Sequence, residues 1–175
     1  MLSALAVDGT AAIVEYPGVM YRSGKEQKIR KYLIDNNYVD AVIQLPADLF
    51  FGTAISTCVL VLKKSKTTND VLFIDASAEF KREGTSNKLL DEHQQKILDT
   101  LAARENIDHF AAVMDADKIA ENDYVLSVSS YVEAEDTREV IDITELNERI
   151  AGIVARQAEL RASIDEIVAD LEGAA

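Results

Sequence analysis

Residues 11–45 read AAIVEYPGVMYRSGKEQKIRKYLIDNNYVDAVIQL, and their pattern sets the fold class. Residues 11–16 are a short apolar run that stops at the turn pair Pro17-Gly18, as a buried strand does. Ser23, with Glu26 three positions on, matches a capping box. A helix is therefore expected from about Gly24 to Asn36, with Ile29, Tyr32 and Leu33 as its apolar face. Residues 39–45 form a second apolar run, closed by Pro46. Strand, helix and strand at this spacing predict a βαβ unit with parallel strands and a right-handed crossover. Both strands read as covered on both faces.

Outward from this unit, residues 46–55 read as a loop, 57–62 (TCVLVL) as a third strand and 71–76 (VLFIDA) as a fourth. Residues 89–104 place Leu90, His93, Ile97 and Leu101 at helical spacing, with Leu98 beside them. Residues 114–121 read as a short helix, and 124–132 as strand or extended chain. The expected fold is α/β: a domain over 1–80, an acidic helical or extended region over 81–139, and a helix over 140–175. In that last part Ile143, Leu146, Ile150, Ile153, Gln157, Leu160, Ile164, Ile167 and Leu171 alternate in steps of three and four, a heptad seam. Asp142 and Thr144 are candidate caps for its start. Such a stripe needs a cover, either the chain's own domain or a partner helix. Its length and regularity favour the partner, and Gln157 is a polar position of the kind that fixes register. Left uncovered, the stripe predicts either self-association or folding back of the helix onto the chain's own domain.

The 175 residues carry a net charge of −13, and 48% of them are hydrophobic, a globular composition. The charge is uneven: residues 1–66 hold eight Lys/Arg and six Asp/Glu, whereas the remainder holds ten and twenty-five. A polyanion would therefore meet the first third. Arg22, Lys25, Lys28, Arg30 and Lys31 form one basic cluster there, either a phosphate-contacting patch or a solvated helix face. No apolar run is long enough for a membrane span, and the start has no signal-peptide pattern, so a cytoplasmic location is expected.

One cysteine excludes an intrachain disulfide and a Cys-based zinc cluster; Cys58 reads as a small core residue. His93 and His109 lack ligand spacing, so no metal site is expected, and His93 reads as core or boundary. Asp75 ends a strand, where an acid either binds a ligand or caps a turn. None of the seven glycines pairs as G-x-G, and there is no P-loop, nucleophile elbow, H-E-x-x-H or C-x-x-C. No catalytic and no cofactor-binding residue is expected in this chain.

Six ordered blocks carry a resemblance: AAIVEYPGVMY (11–21), KEQKIRKYLIDNN (25–37), VDAVIQLPADLFFGTAISTCVLVLKK (39–64), VLFIDASAEF (71–80), NKLLDEH (87–93) and NDYVLSVSSYV (122–132). Together they resemble the methylation (M) subunit of type I restriction–modification systems, across essentially the whole chain. The segment Leu45–Leu62, with its L-P-x-x-L-F-F-G-T signature, is the most specific part. The sequence departs from the common V-x-P-N-G-V-L-F form, having Glu15-Tyr16-Pro17-Gly18-Val19.

The resemblance implies a Rossmann-like sheet and transfer of methyl from S-adenosylmethionine to adenine N6 in DNA. It also implies a specificity subunit and a restriction subunit as partners, with DNA met through the complex. In that family a glycine cofactor turn and an [ND]-P-P-[FY] tetrapeptide precede such blocks. Here Pro17 and Pro46 are the only prolines and are not adjacent. The chain thus resembles the C-terminal part of an M subunit, expected to be inactive alone. The loop of residues 48–53 would supply an aromatic that stacks on the extruded adenine. Phe51 is the first candidate, because Gly52-Thr53 lets the backbone approach; Phe50 is the second, read as core anchor. A reading of another class is a non-enzymatic module that docks a partner through its last helix.

Overall fold

The computed structural model describes residues 2–134 and 143–173. They belong to two compact units, Met1–Glu135 and Asp136–Ala175.

In the first unit, β1 (Thr10–Glu15) is followed by a short α1 (Gly18–Tyr21), α2 (Lys25–Asp35), β2 (Val39–Gln44), β3 (Cys58–Lys63) and β4 (Asp70–Asp75). A hairpin of β5 (Lys81–Glu83) and β6 (Ser86–Lys88) leads to α3 (Asp91–Ala103), β7 (Ala111–Asp115) and α4 (Ala116–Glu121). The five-stranded sheet has the order β1-β3-β2-β4-β7. β3 is antiparallel to both β1 and β2, so those two strands run the same way, as expected. They are not neighbours, however, because β3 lies between them. The adjacent parallel pair is β2 and β4.

Several local expectations are corrected. β1 is not covered on both faces. It ends the sheet, with Ala11 and Ile13 against the core and Val14 exposed. α2 is capped by Gly24 at φ 83° and has no side-chain cap bond, so Ser23 does not form the capping box. The helix buries Arg30, Leu33 and Ile34 and leaves Ile29 and Tyr32 exposed. Its buried face is turned because the Arg30 guanidinium finds main-chain acceptors inside: Nε on Tyr124 O at 2.6 Å and Nη1 on Val19 O at 2.8 Å.

Over residues 81–134, part of the region expected to be helical or extended, the chain forms strands as well as helices. β7 is antiparallel to β4 and completes the sheet, so the apolar run 111–114 (AAVM) lies in a strand. Residues 124–132 form no strand. Leu126 N donates to Met20 O at 2.7 Å, Tyr131 Oη donates to Val125 O at 2.6 Å, and Val128–Ser130 is a 3-10 turn. The Leu126–Met20 bond ties the segment to α1, and the Arg30–Tyr124 bond ties it to α2, in place of a ladder.

The sheet separates two apolar layers. Val42, Leu60, Phe73, Ile119 and Leu126 lie in one; Ala41, Ile43, Leu72, Ile74 and Ile97 lie in the other. Phe73 stacks on Tyr131 at 4.2 Å between ring centroids. Each such fully buried side chain stabilises by about 1.5–3 kcal/mol. β2 slips register at Asp40: Val39 faces Leu62 and Ala41 faces the next residue, Val61. The extra residue is why Val39 and Val42, three apart, share a layer that strict alternation would deny them. Asp40 turns outward to Arg104, whose guanidinium spans Asp40 and Asp70 at 3.0 Å each.

The described residues of the second unit form one helix, α5 (Ile143–Gly173). The expected seam residues from Ile143 to Leu171 are on it and exposed. The candidate cap Asp142 lies outside the described residues.

Candidate functional site

β1 and β2 end at the same side of the sheet, together with β4. In mixed and parallel α/β sheets this carboxyl end is where ligands meet the fold. The loop after β2 emerges there. Leu45 N donates to Thr57 O at 2.8 Å and the Gln44 side chain reaches the same carbonyl at 3.3 Å, which closes the neck of the loop. Pro46 is buried inside that neck.

Beyond the neck the backbone is bent by Asp48, at φ 52°, and by Gly52, at φ 78°. Thr53 N donates to Phe50 O at 3.3 Å, so residues 50–53 form one turn with Gly52 third. A left-handed third residue favours glycine in such a turn. Phe51 stands at its tip, 107% exposed relative to a reference residue. Phe50, expected as the core anchor, is 41% exposed. The anchor is Leu49, which packs on the layer of Ile43 and Ile74. The positive φ at Asp48 sets Leu49 inward and leaves both phenylalanines outside.

The hairpin braces this loop, a role the sequence pattern did not signal. Asn87, 8% exposed, donates from Nδ2 to Ala47 O at 2.8 Å and from its backbone N to Asp48 O at 2.9 Å. Arg82 Nη1 contacts Asp48 Oδ2 and Asn87 Oδ1, each at 3.0 Å. Three hydrogen bonds thus fix residues 47 and 48, the base of the aromatic turn, and the Arg82–Asn87 bond holds the two braces together. The Lys81–Lys88 stretch (KREGTSNK) has no apolar residue, and a polar run of this kind reads as a loop.

The basic cluster divides. Arg22, Lys25 and Lys28 are exposed, and α2 begins at the carboxyl end of the sheet, the side of the aromatic turn. Arg30 is buried among carbonyl oxygens and belongs to the core; burial lowers its pKa. Lys31 pairs with Asp35 at 2.9 Å and Tyr124 Oη at 2.7 Å, and the Tyr124 hydrogen bond raises its pKa.

Other candidates take structural places. Cys58 is buried and burial pushes its thiol up to about 11. Asp75 accepts from Ser77 N at 3.0 Å, a turn cap. His93 Nδ1 accepts from Leu90 N at 3.2 Å at the start of α3. Among the described residues no group of three or more His, Cys, Asp and Glu is placed to hold a metal, and no helix is long and apolar enough to cross a membrane.

Comparison with known proteins agrees with this architecture. Residues 1–140 match the N-6 DNA methylase family. The type I restriction enzyme MpnII methylase subunit of Mycoplasma pneumoniae is 47% identical over 98% of this chain, which spans 32% of that relative. The MjaVII methylase subunit of Methanocaldococcus jannaschii is 35% identical over 92% of this chain and 28% of the relative. A crystal structure of the type I restriction–modification methyltransferase subunit from Streptococcus thermophilus superposes with a TM-score of 0.74 at 44% identity, over 75% of this chain and 28% of that one. The chain therefore spans about a third of the length of these curated relatives. With a mixed sheet of this order and a family match over residues 1–140, the chain belongs to the N-6 DNA methylases, and its likeness is to the methylase subunits of type I restriction–modification systems.

Proposed function

We propose that this chain forms the C-terminal part of a modification subunit that transfers methyl from S-adenosylmethionine to adenine N6 in DNA. The observation that carries the reading is Phe51. An aromatic ring fully in water, on a braced turn at the carboxyl end of the sheet, is suited to stack on an extruded base. Such stacking is worth about 1–3 kcal/mol per base. Arg22, Lys25 and Lys28, on the same side, would meet the phosphate backbone. The chain has neither a paired-glycine cofactor turn nor a Pro-Pro tetrapeptide, so the methyl donor would be held by the remainder of the subunit.

In this reading the chain brings the base-capturing turn, the last strands of the sheet and an acidic segment, and α5 joins the subunit to a specificity subunit. A restriction subunit would join through the assembled complex. The second reading, a non-enzymatic docking module, is favoured by one feature, the exposed aliphatic seam of α5.

Methyl transfer to duplex DNA distinguishes them. The chain alone should show no turnover and no S-adenosylmethionine binding by calorimetry. In a complete subunit assembled with its specificity subunit, Phe51→Ala should lower turnover and leave cofactor affinity unchanged. Unaltered turnover in that variant would defeat the base-capture assignment.

A further inference from the structure

Thr57 carries a hydroxyl that finds no partner in this fold. The residue is 5% exposed, and its Oγ1 is the one buried side-chain polar atom without a hydrogen bond among the described residues. Leu45 N donates to Thr57 O, which carries the β2–β3 pairing one step past Gln44 and Cys58. Thr57 therefore lies opposite Leu45 and shares its face of the sheet. That face is the aliphatic layer of Ile43, Val59 and Val61, on which Leu49 seats the loop. Valine has the shape of threonine and would fill the place with no polar atom to satisfy. A buried hydroxyl without a partner destabilises the fold, and in a native protein such a group points to a use in another state.

The loop beside it is fixed at both ends and untied at its tip. Leu45, Ala47, Asp48 and Thr57 are hydrogen-bonded to one another or to the hairpin. Residues 50–56 make two hydrogen bonds among the described residues, both within the tip: Thr53 N to Phe50 O at 3.3 Å and Ile55 N to Thr53 Oγ1 at 3.2 Å. Phe50, Phe51 and Ile55 stand exposed on it. On the base-capture reading of Phe51, we propose that Thr57 is a positioning residue. When an extruded base stacks on Phe51, the tip settles onto the sheet and one of its backbone carbonyls accepts a hydrogen bond from the Thr57 hydroxyl. The loop in this structure is the base-free form. The bond forms only in the base-bound form and so stabilises that form alone. The unpaired hydroxyl destabilises the base-free form, which shifts the balance the same way.

The test sets stability against function in one pair of variants. In this chain, Thr57→Val should keep or raise the urea midpoint, because it removes an unpaired polar atom. Thr57→Ser should lower it, because it removes a buried methyl. In the complete subunit assembled with its specificity subunit, the order should reverse. Duplex DNA carrying the target site should slow hydrogen exchange at the amides of residues 50–56. Thr57→Val should weaken that protection and lower kcat by at least about threefold, with S-adenosylmethionine affinity unchanged, and Thr57→Ser should keep both. A merely structural role cannot give opposite orders in the two measurements. A lower urea midpoint for Thr57→Val would mean that the hydroxyl is already satisfied, and overturns the proposal. A tip whose exchange DNA does not slow overturns it as well. Unaltered protection in Thr57→Val also overturns it, whether kcat is unchanged, which leaves the hydroxyl idle, or lowered, which gives the hydroxyl to the base itself. Phe51→Ala, measured beside them, separates the two levels. If it lowers turnover and Thr57→Val does not, base capture stands and the role of Thr57 falls. If Phe51→Ala is silent, base capture falls and the role of Thr57 falls with it.

Discussion

Asn87 Nδ2 donates to the carbonyl oxygen of Ala47 at 2.8 Å, across 40 residues of chain, and so ties the β5–β6 hairpin to the loop that presents Phe51. The donor is buried, so its loss leaves an acceptor unpaired inside the protein. That situation costs more than the hydrogen bond itself contributes. The hairpin has almost no apolar contact of its own, and this polar link explains its place in the fold.

Asn87→Ala should therefore destabilise the chain by about 1–3 kcal/mol and loosen residues 46–56. Chemical denaturation gives the first number. Amide hydrogen exchange gives the second, with faster exchange expected in the loop and none in β2 or β4. Unchanged exchange in the loop would show that the neck bonds alone hold it.

Phe51→Ala should leave stability within about 0.5 kcal/mol of the unaltered chain, because the ring touches little but water. Leu49→Ala should cost about 2–3 kcal/mol, since this residue, not Phe50, seats the loop on the core. Thermal melting of the two variants side by side checks the contrast. A larger loss for Phe51→Ala would mean that the ring packs in solution.

Arg30→Met should cost about 2–4 kcal/mol despite keeping the apolar stem of the side chain. The carbonyl oxygens of Val19 and Tyr124 would lose their donors, and α1, α2 and the 124–132 segment meet at that point. Urea denaturation measures the loss. Lys25→Met, on the exposed side of the same helix, should be neutral to stability.

Asp70 has a lowered pKa: burial pushes it up, and the Thr68 hydroxyl and the Arg104 guanidinium more than offset that push. A carboxyl with a folded pKa below its unfolded value of about 3.9 stabilises the fold above that value, and the contribution fades as pH falls through the folded pKa. The urea midpoint of the unaltered chain should exceed that of Asp70→Asn at neutral pH, and the two should converge in acid below the ordinary aspartate range. A gap that persists in acid would assign the effect to packing.

The Cys58 thiol, raised to about 11 by burial and hydrogen-bonded to Glu15 O at 3.4 Å, should resist alkylation at pH 8 in the folded chain and react at once in denaturant. Intact mass measured over time reads both rates. Rapid native labelling would mean that the β1–β3 edge opens.

The sequence by itself determined the elements whose signal is local. Apolar runs ended by Pro17-Gly18, Pro46 and Lys63-Lys64 placed β1, β2 and β3, and helical spacing placed α2, α3 and the seam of α5, because backbone periodicity writes itself directly into side-chain order. The L-P-x-x-L-F-F-G-T run carried the resemblance that pointed to the candidate loop, and Gly52 within it is the local signal of the turn. Only the tertiary structure decided what depends on residues distant in the chain. It inserted β3 between β1 and β2, an order no local pattern encodes. It turned Arg30 inward because Val19 and Tyr124 offer carbonyl oxygens there, and so rotated the buried face of α2 away from Ile29 and Tyr32. It also set Leu49 on the core and Phe50 in water. Hydrogen bonds from Asn87 and Arg82, more than thirty residues downstream, fix the start of that loop, and long-range bonds of this kind leave no periodic trace in the sequence.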